Sequence, residues 1–208
     1  MESHKFRRPA ALTPKEAEDI IGDIDPADEA EVAHTSAWAL MGVPNADFDA
    51  TDTERLRTAV RARGVDIVAD LWARSPDFTL AGALWRLYLL WQWHQADPDV
   101  LMERYDEGLA ALEQEGRDLS KLPTLEETIR GVGGVLAGYA TEDDLPPVLD
   151  ASATVMRVMA AGVTSGPEWI GDDDHHLAHP VTRRPEALLA TAAELEESAQ
   201  QARIGNLD

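Results

Sequence analysis

The 208-residue chain has no cysteine. Disulfides and thiolate metal sites are thereby excluded, and a reducing compartment is permitted. Positive charge is scarce: 18 Lys and Arg stand against 39 Asp and Glu, a formal net charge of −21. A surface of that sign repels phosphate backbones and anionic lipid at long range, although it leaves room for a local basic patch. Long apolar runs are also missing. The run Leu80 to Trp93, LAGALWRLYLLWQW, is shorter than the roughly 20 residues of a membrane span, and it carries Arg86. The N-terminal MESHKFRRPAALTPKE has an apolar patch too brief for the core of a signal peptide, which takes roughly 7–15 residues. A cytoplasmic location without a membrane partner is the expectation.

Catalytic signatures are equally thin. There is no P-loop, no dinucleotide fingerprint and no serine in a nucleophile elbow. The paired Glu-x-x-His motifs of di-iron bundles are absent too. Period-2 alternation is absent over any useful length, and no internal repeat is visible.

What remains is helical. Apolar residues make up 44% of the chain, and alanine and leucine are frequent while β-branched residues are few, a balance that favours helix. Residues 1–10 are expected to be a flexible tail. Thr13-Pro14-Lys15-Glu16 starts a short helix to Gly22, and Asp25-Pro26 starts another to Gly42. Asp52 or Thr53 caps the next, which Gly64 interrupts and which resumes through Ile67, Val68, Leu71 and Trp72. A central helix is expected over 78–96. Because it is apolar on nearly every side, it belongs in the middle, wrapped by others. Asp97-Pro98-Asp99 opens an amphipathic helix ending near Gly116, and Thr124 with Glu127 forms a capping box. The helix after that box holds Gly131, Gly133, Gly134 and Gly138, which either permit close backbone approach or mark a weak element. A helix after Pro146-Pro147 ends at Gly162, and a last one covers 185–202. The sum is an all-α protein, one bundle of eight or nine helices over residues 11–203, with a C-terminal tail at 204–208.

Three constellations could carry chemistry. Asp172, Asp174, His175, His176 and His179 offer oxygen and nitrogen ligands for a divalent metal, with His175 and His179 one turn apart if a helical turn begins at Asp174. No zincin motif accompanies them, and a solvated acidic loop is the simpler reading. Arg55, Arg57, Arg61 and Arg63 form the one concentrated basic feature. They could meet phosphates or an acidic partner, or pair with the chain's own carboxylates, which is the favoured outcome. Arg86 lies among leucines and tryptophans. An unpaired charge there costs several kcal/mol, so an internal ion pair is expected, with Glu103, Asp70 or Asp106 as candidate partners, ahead of a clamp for a substrate anion. Trp72, Trp85, Trp91 and Trp93 read as core rather than pocket. His94, at the end of the central helix, could act as a base or cap that C-terminus, where a cation is favoured.

Val65 to Tyr88 has helix–turn–helix proportions around Ser75-Pro76-Asp77. A recognition helix must show polar groups to base edges, and this second helix would show leucine and tryptophan.

SPDFTLAGALWRLYLLWQWHQADPD, from Ser75 to Asp99, and VMRVMAAG, from Val155 to Gly162, resemble an uncharacterised family of all-helical proteins from high-GC bacteria. The likeness spans most of residues 50–165. It implies a helical bundle and supplies no catalytic positions. Some members carry a loose DNA-binding label. The functional expectation is a non-enzymatic, partner-binding or regulatory protein that engages a protein partner or a second copy of itself. A DNA-associated regulator using the Arg55–Arg63 helix or the Lys5–Arg8 tail, disfavoured by charge, and a metal-dependent enzyme or sensor at Asp172–His179 are the alternatives. No cofactor is expected beyond that possible divalent metal.

Overall fold

In the computed structural model, residues 26–46, 48–163 and 185–207 are described. They form eight α-helices and, among the described residues, no strand. These are α1 (Pro26–Leu40), α2 (Ala50–Arg63), α3 (Asp66–Trp72), α4 (Leu80–Ala96), α5 (Pro98–Gln114), α6 (Leu125–Leu136), α7 (Leu145–Val163) and α8 (Pro185–Arg203). A single 3-10 turn, Glu142–Asp144, leads into α7. The all-α bundle expected from the sequence is the one that forms. The expected tail at 1–10 and the helix after Thr13 lie outside the described residues.

Side-chain caps set several starts. Thr79 accepts from the Gly82 N–H at 3.0 Å. Thr124 accepts from the Glu127 N–H at 3.2 Å and donates to the Glu127 carboxylate at 2.8 Å. Three boundaries differ from the sequence reading. Helix α2 is capped by Asp49, whose carboxylate accepts from Thr51 and Asp52 at 2.7 and 2.9 Å. Asp52 and Thr53 therefore sit in its first turn. Helix α4 begins at Leu80, because Thr79 is its cap, and this leaves Phe78 outside and 65% exposed. Helix α7 begins at Leu145, one residue before the two prolines. The first turn tolerates them because its N–H groups have no intrahelical acceptor.

The buried apolar side chains form one contiguous cluster. Helix α4 touches α1, α3, α5, α6, α7 and α8, and no residue from Leu80 to His94 is fully exposed. It is not the only inner helix. Helix α7 packs along both α8 and α5 and buries Leu149, Ala153, Met156 and Met159. At one crossing the backbones nearly touch. A Cβ at Gly108 would lie 2.6 Å from the Val158 carbonyl carbon, and one at Gly162 would lie 2.7 Å from the Gly108 nitrogen. Small residues at this crossing let α5 and α7 approach more closely than any side chain would permit.

The glycines of α6 divide by role. A Cβ on Gly133 would come within 2.7 Å of the Trp91 ring, whereas one on Gly134 would meet open space. Gly138, at φ +68, lies just past the helix and terminates it in the left-handed conformation. At the far end of the chain, in the stretch read as a tail, Leu207 is buried. Among the described residues no helix is long and apolar enough to cross a membrane.

Candidate functional site

The basic quartet of α2 is the sequence-read site that the structure describes most fully, and its members do not converge on one surface. Helix periodicity places Arg57 and Arg61 on one row, and that row faces the end of α6. Arg57 is half-buried and donates to the Gly138 carbonyl from Nε at 2.8 Å and from Nη2 at 2.6 Å. Arg61 reaches the same oxygen at 3.2 Å, pairs with Glu54 at 3.0 Å and lies over the Tyr139 ring at 5.3 Å. The Gly138 carbonyl lies just past the C-terminus of α6, where negative potential concentrates, so two guanidinium groups are well placed there. Arg55 pairs with Asp52 at 3.0 Å on the surface. Arg63 is exposed at the last turn of α2. Two of the four basic groups therefore fasten α2 to the turn after α6.

Arg86 forms the internal ion pair expected of it, with a different partner. Its Nε donates to Glu194 on α8 at 2.5 Å, and Nη1 donates to the Gly82 carbonyl at 2.8 Å. Glu194 takes the place of Glu103, Asp70 and Asp106, the expected partners. Glu194 is 108 positions away, and only the packing of α8 on α4 brings it there. Arg104 is more deeply buried than Arg86, at 4% exposure, and pairs with Glu107 at 2.9 Å. Burial lowers its pKa, against the opposing pull of the Glu107 and Glu103 charges. The sequence held the signal: Arg104 shares a helical row with Leu101 and Gly108, which face the core.

Among the tryptophans, Trp72 and Trp93 are buried and Trp85 and Trp91 are half-buried. Trp72 donates its indole N–H to Ser36 on α1 at 3.1 Å. Trp85 stacks on Tyr88, ring centres 5.4 Å apart. The Tyr88 hydroxyl donates to Asp66 at 2.7 Å, and the Gln92 amide donates to the same carboxylate at 2.6 Å. Burial, then the hydrogen bond to Asp66 and its charge, push the Tyr88 pKa up to about 12. This polar junction between α3 and α4 has no counterpart in the sequence reading. His94 is half-buried beside Trp91, at the end of α4.

Asp172, Asp174, His175, His176 and His179 lie outside the described residues. Among the described residues no group of three or more histidine, aspartate or glutamate side chains is placed to hold a metal. A small pocket of about 40 Å³ lies where α1, α4 and α7 meet the end of α8, lined by Trp38, Met41, Leu80, Glu142, Leu145 and Leu207. One carboxylate among apolar walls supplies no acid–base pair. No protein-family model, curated protein or solved structure matches this chain.

Proposed function

We propose that the chain is a non-enzymatic protein that works by binding a macromolecular partner, a basic protein in the first instance. One observation carries the reading: among the described residues most arginines pair within the fold, while a row of carboxylates on α5 is left over. Arg57, Arg61, Arg74, Arg86, Arg157 and Arg203 hold helices to one another or to their connecting turns. Asp99, Glu103, Asp106 and Glu113 run along the outer face of α5 and are exposed. None of them forms a salt bridge among the described residues. Carboxylates spaced three or four apart repel one another along a helix. A cationic partner relieves that repulsion and is steered toward it from a distance.

Affinity capture from a lysate at moderate salt, with the full chain as bait, tests this. A specific basic partner whose association rate falls steeply with salt supports it, and the absence of any specific partner overturns it. The DNA-associated alternative predicts salt-sensitive binding of duplex DNA in fluorescence anisotropy. Arg57 and Arg61 would have to leave Gly138 to contribute to it. The metal alternative rests on sequence alone and is decided by elemental analysis of the purified protein.

A further inference from the structure

We propose that α3 and the adjoining face of α4 form a docking strip for a partner segment that presents arginine or lysine beside aliphatic side chains. This rests on the partner-binding reading above, in which the α5 carboxylates steer a cationic partner from a distance, and adds the surface on which a segment of that partner seats. Helix α3 has a wide exposed face. Residues 66 and 70 are one turn apart, as are 67 and 71, in adjacent rows. Val68, Ala69 and Trp72 face the core. Ile67 and Leu71 remain 38% and 43% exposed. On the α4 side of α3, Asp66 is tied to Tyr88 and Gln92, and Tyr88 stacks on half-exposed Trp85. The strip therefore runs from two aliphatic side chains, across two carboxylates, to an aromatic pair.

Charge complementarity selects the occupant. Asp66 accepts hydrogen bonds from neutral donors, and neither it nor Asp70 forms a salt bridge with any described residue. Arg74, one turn past Asp70, is turned instead to Glu29 on α1, at 3.2 Å. Asp66 bonds to Tyr88 directly, and Asp70 lies one turn along the same row of α3. A cation beside carboxylates and over a tryptophan or tyrosine face gains from both. The flanking Ile67 and Leu71 give its neighbouring apolar side chains a place to lie. An acidic or purely polar segment would gain nothing from either half of the strip.

The test titrates the full-length, 15N-labelled chain with a capped helical peptide of arginine and leucine at i, i+4 spacing. The same peptide with glutamate in place of arginine is the control. The expected result is amide shifts centred on residues 66–71 and 85–92 with the arginine peptide and none with the control. Asp70→Lys, at a side chain with no hydrogen bond to lose among the described residues, weakens binding about fivefold or more. Asp99→Asn with Glu103→Gln on α5 leaves it unchanged. Ile67→Ser with Leu71→Ser, both at exposed positions, weakens it independently of charge. Shifts centred on α5 or spread over the surface, or an Asp70→Lys affinity equal to that of the parent, overturn the strip. Those outcomes leave the partner-binding reading intact, since it falls only when capture from lysate yields no specific partner.

Discussion

Arg57 caps the end of a helix that lies 81 positions further along the chain. Its guanidinium donates twice to the Gly138 carbonyl and makes a longer contact, 3.5 Å, to that of Ala140. Glycines make room for it. The Arg57 side chain passes Gly138, where a Cβ would lie 3.4 Å from its Cγ, and it fills the space where a Cβ on Gly42 would stand. Both glycines have positive φ, +68 at Gly138 and +85 at Gly42, so each ends its segment in a conformation that suits glycine. One side chain thereby fastens α2 to the turns after α1 and α6. Hydrogen bonds from charged donors contribute about 1.5–3 kcal/mol. Arg57→Ala should cost that much in urea denaturation, and Arg57→Lys should recover little, since an ammonium lacks the planar fork. Retention of full stability in Arg57→Ala would show that the clamp contributes nothing.

Two neighbouring glycines in α6 should respond oppositely to alanine. At Gly133 the new methyl meets the Trp91 ring at 2.7 Å. Overpacking of that kind costs about 1–3 kcal/mol. At Gly134 the methyl meets nothing within 4 Å, and removing a helical glycine gains up to about 1 kcal/mol. Thermal melts of the two single variants therefore move in opposite directions from the parent. If both rise, Trp91 can withdraw from α6 at no cost.

That pair shows where sequence pattern stops. The four glycines were visible as a cluster, and close backbone approach was one of two readings. Which glycine met a neighbour was not visible, because the neighbour is Trp91, on another helix. Helix identity was legible throughout α1 to α8, since caps and 3.6-residue periodicity are local. The cap at Asp49 was missed because Ala50 and Thr51 carry no apolar signal to mark a helix start. Arg86 was legible as a buried charge that must be paired, whereas its partner Glu194 depended on how α8 docks. The Tyr88–Asp66–Gln92 junction lies across two helices, and neither Asp66 nor Gln92 has a local pattern to single it out. Arg57 could be read only as basic, since its acceptor is a backbone carbonyl and every residue has one.

Tyr88 should give that junction a pH signature. Its ordinary pKa of 10.0 is raised to about 12 in the folded protein. The folded state therefore holds this proton more tightly than the unfolded chain. The associated stability is fully present below pH 10 and is lost as pH rises toward 12, where the folded state also releases the proton. The stability difference between the parent and Tyr88→Phe should shrink across that window. Asp66→Asn removes the neighbouring charge and the charged acceptor, so ultraviolet titration should find the Tyr88 transition at lower pH in that variant. An unchanged transition would assign the whole shift to burial.

The Arg86–Glu194 pair joins α4 to α8, with side-chain exposures of 15% and 31%. Removing one member strands the other in a partly dry setting. Loss of one partner of a buried pair costs about 3–5 kcal/mol, and the exposure of Glu194 places the expected cost of Glu194→Ala at the lower end. Arg86 keeps its bond to the Gly82 carbonyl, which softens the loss further. Arg86→Met with Glu194→Leu replaces both charges by apolar groups, so it should recover most of that stability, because neither variant side chain needs a polar partner. A double-mutant cycle by chemical denaturation reads the coupling directly. Coupling near zero would mean that α8 is held to α4 by its apolar face alone, through residues such as Leu188 and Leu195, which are buried. The ion pair would then set where α8 sits without adding to how firmly it is held.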